Sequence, residues 1–331
     1  MTAGRRGALR TRPGVALIAA LWLVVAIAVV ALQFSLAAKD RRVLGINAAD
    51  RGVAEGTALG ALAATQAQLD YLLRAMPQNN AALASTRSGD PWLGADSIYS
   101  GVTYVDSMPV DVQLLDLGRR LNINDMTEDE LRTFFSYVLN DYATADHLAQ
   151  TIMDWTDPDD IPRPSGDEAE GYIKKGLLAL PANGPFRSVD QLRLVEGMTP
   201  AIYARVAPYF TVYGSGLVNI NTASVPVLRA IPGMTDQILS NILSQRSRGM
   251  RIASIAQVVP GYTPARGRGY NPGLAAMTGI QQQQLGQALT VSTRDLLATV
   301  TSRAGPESEP VQVIALFTHT GTTTTVSWEQ R

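Results

Sequence analysis

From Val15 to Leu32 the chain reads VALIAALWLVVAIAVVAL without a polar break. Those eighteen residues, as a helix, rise roughly 27 Å, close to the hydrocarbon thickness of a bilayer. The apolar run ends, but the helical character does not. Between Lys39 and Ala75 there is no proline, and alanine, leucine, glutamine and arginine dominate until Pro77. Gly45, Gly52, Gly56 and Gly60 each cost this helix up to about 1 kcal/mol, tolerable where small residues let it pack closely on other backbones. A loop rich in Asn, Ser, Gly and Asp follows from Pro77 to Pro91. β-branched and aromatic residues then predict strands over Ile98–Val105 and Val110–Leu115, and again over Leu296–Ser302, Val311–Thr318 and Thr322–Trp328. The middle, from about 122 to 290, patterns as helix. Strands, then helices, then strands predict an α+β fold: a small antiparallel sheet, covered by the long helix and interrupted by an inserted α-helical domain.

The insertion repeats itself. Asn122-Ile123-Asn124 recurs as Asn219-Ile220-Asn221, each followed at the same distance by a Leu-Arg pair, Leu131-Arg132 and Leu228-Arg229. Ser188-Val189 with Leu192 and Gly197-Met198-Thr199 recurs as Ser224-Val225 with Leu228 and Gly233-Met234-Thr235. A fainter echo of Phe186, Ser188-Val189 and Leu192 stands at Ile252, Ser254-Ile255 and Val258. Each unit reads as a capping residue, a short helix, a glycine turn and a second helix, which is helix-hairpin-helix or SAM-like construction. Such hairpins bind DNA when a Gly-x-Gly turn brings backbone N–H groups to a phosphate. Thr199 and Thr235 replace the second glycine, and only Arg229, Arg246, Arg248 and Arg251 cluster near the second hairpin. A periplasmic DNA-binding protein is the alternative reading; packing is the one the residues favour, and no nucleic acid is expected.

Composition narrows the chemistry. The net charge is −1, cysteine is absent and only His147 and His319 are present, which removes disulfides, thiolate sites and multi-histidine metal centres. Acidic residues concentrate in Asp154-Trp155-Thr156-Asp157-Pro158-Asp159-Asp160 and in Asp167-Glu168-Ala169-Glu170, on a segment broken by proline and glycine. Like charges this close repel unless a cation gathers them, and calcium takes six to eight oxygens in loose geometry. Asp157, Asp159 and Asp160 supply one edge of such a site, and Glu168 and Glu170 return from the far side of the turn. Asp154 caps or orients the loop. The bland alternative is a solvated loop neutralised by Arg163 and Lys174. Glycoside hydrolysis by paired carboxylates needs aromatic platforms, and only Trp155 and Tyr172 are near. Neither histidine sits in a nucleophile context, so no enzyme activity is expected.

Ahead of the apolar run stand Arg5, Arg6, Arg10 and Arg12, with no acidic residue before Asp40. Arginines on that flank hold it in the cytoplasm and send everything after Lys39 outside. A secretory signal peptide cut near Ser35-Leu36-Ala37 is one reading. The Arg12-Pro13-Gly14 junction before the apolar run, and the helix that continues past it, favour another. A helix of this length, half in the membrane and half outside, resembles a type IV pilin or pseudopilin spine. Gly14-Val15-Ala16-Leu17-Ile18 is similar to the cleavage and methylation site of class III signal peptides. Where most pilins carry glutamate at the fifth mature position, this chain has Ala19. An unpaired charge inside lipid is expensive, so a subunit without that glutamate suits the end of a filament.

Asp154-Trp155-x-Asp157-x-Asp159-Asp160-x-x-Arg163-Pro164, with Gly166 and Glu170 before Tyr172, resembles the signature of the general secretion pathway protein K family. So does Phe186-Arg187-Ser188-Val189-Asp190-Gln191-Leu192 with Gly197-Met198-Thr199, leading through Tyr209–Tyr213 to Val218–Ala223. That family comprises the K-type minor pseudopilins of type II secretion systems. The resemblance implies a leader over 1–14, cleaved by prepilin peptidase between Gly14 and Val15, and a spine helix over 15–76 whose membrane part is 15–38. It implies a pilin-like sheet domain split into 77–121 and 291–331 around an α-domain over 122–290. It also implies bound calcium in the α-domain, with Glu168 and Glu170 both open as ligands. Further implications are a single-pass anchor in the bacterial inner membrane with the bulk in the periplasm, and a place at the pseudopilus tip. There it would meet the I, J and H minor pseudopilins and the major pseudopilin, initiating assembly and limiting length.

Overall fold

In a computed structural model, residues 13–75, 90–259, 279–306, 308–319 and 324–330 are described, with 13–16, 40, 43, 279, 280, 282 and 324–330 by backbone alone. The leader before Pro13 and most of the loop after Pro77 lie outside the described residues. Helix α1 runs Pro13–Arg74, with Gly14 and Val15 in its first turn. Its N-terminal half turns Leu17, Trp22 and Phe34 outward at 74%, 69% and 75% exposure, an apolar surface that water does not stabilise. From Ala54 onward one stripe becomes buried, through Ala58, Ala61, Leu62, Leu69 and Leu73, at the spacing of a single helix face. Gly60 faces Val105 of the sheet, whereas Gly45, Gly52 and Gly56 face open space.

That stripe packs on a five-stranded sheet of order β1-β2-β7-β8-β9. The strands are Gly101–Val105, Met108–Asp116, Asp295–Ser302, Val311–His319 and Thr324–Gln330, all antiparallel to their neighbours. Burial alternates along β8, so Val311, Val313, Ala315 and Phe317 share the face under α1. The first strand starts later than its sequence predicts. Ala95–Ile98 forms a helical turn, α2, and the Ser100 hydroxyl takes the Leu114 N–H at 2.8 Å, a ladder position filled by a side chain. Pairing therefore begins at Gly101. Asp106 and Ser107, both at positive φ, close the β1–β2 hairpin.

The sheet runs away from the apolar half of α1. At the start of β2 the Thr57 hydroxyl meets Met108 Sδ at 3.6 Å. At the other end Trp92 Nε1 donates to Leu69 O at 3.2 Å, and the Trp92 ring meets His319, the last residue of β8, edge-on at 4.4 Å. The chain leaves the sheet at Asp116 and returns at Asp295, both at this far end. The inserted domain thus stands beyond the sheet, at the opposite extremity from the apolar half of α1.

The insertion has its own core. Its helices are α3 (Glu128–Leu139), α4 (Tyr142–Thr156), α5 (Ala169–Lys174), α6 (Pro200–Val206), α7 (Val225–Ala230), α8 (Asp236–Ser247) and α9 (Gly279–Ala288). Thr127, Asp141, Thr199 and Thr235 cap four of them through their side chains. Two short parallel pairings, which periodicity did not predict, tie each unit's first residues to its last. Leu121–Asn122 (β3) pairs with Phe210–Thr211 (β4), and Val218–Asn219 (β5) with Leu289–Thr290 (β6). The repeated Asn-Ile-Asn motif has the same role in both units. Asn122 and Asn219 accept from the N–H two residues on, while Asn124 grips the backbone of Phe186 as Asn221 grips that of Ile252. One difference between the units bears on chemistry: α8 leads almost directly to Ile252, whereas between α4 and Phe186 lies the acidic excursion 157–185.

Candidate metal centre

The excursion starts where Pro158 stops α4, after Asp157 has given its N–H to Met153 O. Asp154, in the last turn of α4, is fully buried. Its carboxylate accepts the Arg163 backbone N–H at 3.1 Å and the Arg163 guanidinium at 2.5 Å. The same Nη1 lies 2.5 Å from Asp157 Oδ2, so one arginine folds the loop back across the helix end. A side chain at Gly166 would place its Cβ 2.0 Å from Asp154 Oδ2, which only glycine avoids. Ser165 N–H donates to Gln150 Oε1 at 2.8 Å, fastening the return to the middle of α4. Underneath, Trp155 stacks on Phe186 at 5.8 Å and buried Tyr172 accepts the Glu196 N–H at 2.8 Å.

Above this floor Asp157, Asp159 and Glu168 each bring one carboxylate oxygen within 4.8 Å of the others. Glu168, the N-cap of α5, is 3% exposed, yet neither of its oxygens has a hydrogen-bond donor; nor does Asp157 Oδ1. Burial first, then the charges of Asp154, Asp157, Asp160 and Asp159, pushes the Glu168 carboxyl up to about 7. A buried carboxylate with no donor is costly, and a hard cation relieves that cost. The other two sequence candidates point elsewhere. Asp160 accepts from Asn183 at 3.2 Å, and Glu170 is exposed, paired with Lys174 at 2.6 Å, which lowers its carboxyl. Gln150, on α4, fastens the loop without any local signal in its sequence.

The other chemistries find little support in this geometry. Trp155 and Tyr172 are 2% and 0% exposed, so neither offers a sugar platform. Around the second hairpin Arg246 is spent on Ala223 O, Arg251 on Val291 O and Arg229 on Asp236. Thr199 and Thr235 use their hydroxyls as helix caps.

The inserted domain matches the family model of type II secretion system (T2SS) protein K over residues 119–215 and 218–261. Type II secretion system protein K of Pseudomonas aeruginosa is 33% identical over 103 residues, 30% of this chain and 31% of that one. The Aeromonas hydrophila protein of the same name is 42% identical over 79 residues, 23% of this chain and 24% of its own. A putative type II secretion system protein K of Escherichia coli K12 is 28% identical over 163 residues, 43% of this chain and 50% of its own. The aligned stretches thus span about a quarter to a half of these relatives. The fold is shared more widely. The crystal structure of the GspK-GspI-GspJ complex from the enterotoxigenic Escherichia coli type 2 secretion system aligns with a TM-score of 0.56 at 18% identity. That alignment covers 83% of this chain and 95% of the other. With the acidic excursion inside the first matched region and the second repeat opening the other, the inserted domain of this chain is similar to type II secretion system protein K.

Proposed function

We propose that this chain is the minor pseudopilin at the tip of a type II secretion pseudopilus, where it initiates assembly and limits length for the export of folded proteins. As a pseudopilin it is a structural component of the apparatus and turns over no substrate. The observation that carries the reading is the inserted domain standing beyond the sheet, at the opposite extremity from the apolar half of α1. A subunit this bulky at its distal end leaves no room for a neighbour beyond it. Ala19 supports the same place, because a subunit without the fifth-position glutamate lacks the charge that pairs with a neighbour's terminal amine. The one helix among the described residues that is long and apolar enough to cross a membrane is compatible with an inner-membrane anchor before assembly, with the rest in the periplasm. The similar solved chain comes from the GspK-GspI-GspJ complex. By that likeness the partners here are the I- and J-type pseudopilins, with the H-type and major pseudopilins below and prepilin peptidase acting earlier.

Calcium belongs to this reading. The donor set is all carboxylate, Glu168 is buried without a donor, and Asp157 Oδ1 is likewise free to ligate. Asp157, Asp159 and Glu168 would hold the ion, which would supply structural cross-linking between the end of α4 and the start of α5. Mass spectrometry of the mature N-terminus tests the assignment. N-methylated Val15 is expected; a terminus near Ala38 would mean an ordinary secreted protein and would overturn the pseudopilin role.

A further inference from the structure

His147, on α4, sits between two groups that accept hydrogen bonds and donate none. Its Nδ1 lies 2.5 Å from Ser165 O in the return arm of the acidic excursion, and its Nε2 is hydrogen-bonded to the Glu196 carboxylate in the turn before α6. A neutral imidazole carries one N–H, so it serves one of these acceptors and turns a lone pair on the other; an imidazolium serves both. The surroundings hold the ring in place. Gly197, at φ 81, keeps the approach open, since a Cβ there would fall 2.9 Å from the ring. On its far side Glu196 is 3.0 Å from Lys175 Nζ, which also meets Asp167 at 2.8 Å, and Tyr172 accepts the Glu196 N–H. The next residue on α4, Asp146, is occupied by Arg132 and Gln150, and Asp154 faces the loop from the next turns of the same helix.

We infer that His147 is a proton-operated clasp: protonated, it ties the return arm of the acidic excursion at Ser165 to the turn at Glu196, and on losing the proton it releases one of the two. Among the described residues the same arm is also tied by Arg163 to Asp154 and Asp157, by the Ser165 N–H to Gln150, by the Ser165 side chain to Asp146 and by Lys175 to Asp167. The clasp adds to these a tie whose strength depends on whether one imidazole carries one proton or two. This goes beyond the secretion role and does not rest on it.

The test uses the full chain carrying Glu168→Gln, whose amide does not titrate, in detergent with chelator present throughout and labelled on its histidines, of which there are two. Ring nitrogen shifts report the protonation of His147, and hydrogen-exchange protection factors over residues 163–168 report the arm. Between pH 5.5 and 7.5, protection is expected to fall on the order of tenfold wherever the ring shifts pass from imidazolium to neutral imidazole, the cost of one charge-assisted bond. Glu196→Gln separates a clasp from mere packing. Its amide N–H donates to the bare Nε2 of a neutral ring whose Nδ1–H still serves Ser165, so protection should stay high at both pH values. His147→Phe should be poorly protected at both. Three results would overturn the clasp: an arm indifferent to pH with His147 and Glu196 intact, a ring already neutral at pH 5.5, or a full pH step surviving when Glu196→Gln is added. If His147→Phe fails to fold, the other two measurements still decide.

Discussion

Asn221 holds Ile252 by both sides of its backbone, accepting its N–H at 2.9 Å and donating to its carbonyl at 2.9 Å. Asn124 does the same for Phe186, at 2.8 and 2.9 Å. In each unit the asparagine fixes the entry to the second hairpin, so its loss strands a peptide donor and acceptor at the edge of a buried core. Asn124→Ala and Asn221→Ala should each destabilise the inserted domain by about 2 kcal/mol. Chemical denaturation followed at Trp155 would measure this; a loss below a few tenths for both would show that the repeated motif has no structural role.

How much of this was legible beforehand follows from where the forces act. The repeated Asn-Ile-Asn motif, the caps and the alternating strands are local patterns, and local patterns survive in one dimension. The parallel pairings β3–β4 and β5–β6 are two residues each, too short to impose a period on the sequence. The acidic loop announced itself by composition, but composition does not separate Glu168 from Glu170. One of them stands at the N-cap position of α5 without bonding to the helix and faces Asp157 and Asp159; the other, two residues on, points to solvent and Lys174. Only the path of the chain around Gly166 and Arg163 decides which is which.

Arg163 is the counter-charge that lets Asp154 remain buried. Arg163→Met keeps the length of the side chain but leaves Asp154 and Asp157 facing each other without it. Removing one partner of a buried ion pair typically costs about 3 kcal/mol or more. The variant should lose that much stability, and Asp154→Asn in the same chain should restore part of it. Equal stability of wild type and Arg163→Met would mean that the loop is held by its backbone contacts alone.

Trp92 connects three parts of the sheet domain: Leu69 of α1 through its indole N–H, His319 of β8 through its ring, and the core through complete burial. Replacing a buried tryptophan by alanine costs about 4 kcal/mol. Trp92→Ala should therefore lower the melting temperature of the sheet domain sharply. Trp92→Phe, which keeps the ring contact and loses only the bond to Leu69 O, should lose much less. The reverse order would show that the hydrogen bond outweighs packing here.

The pH dependence of stability distinguishes a cation site from a merely acidic loop. Glu168 is pushed from 4.5 up to about 7 and Asp90, desolvated beneath Thr293, from 3.8 up to about 6. In both cases the folded state binds its proton more tightly than the unfolded chain. Between roughly pH 4 and 7 the native protein is thus the more protonated form, and stability falls as pH rises through that window. In chelator the melting temperature should be highest near pH 4 to 5, so far as these groups set it, and should decline toward pH 7. Calcium binds only the deprotonated carboxylates, so it should reverse the upper part of that decline, by about 2.7 kcal/mol at a hundredfold excess over its Kd. Glu168→Gln should flatten the chelator profile above pH 6 and abolish the calcium response together. A melting temperature that ignores calcium at pH 7.5 in the wild type would remove the ion from the structure, and leave Glu168 as an acid kept neutral by burial.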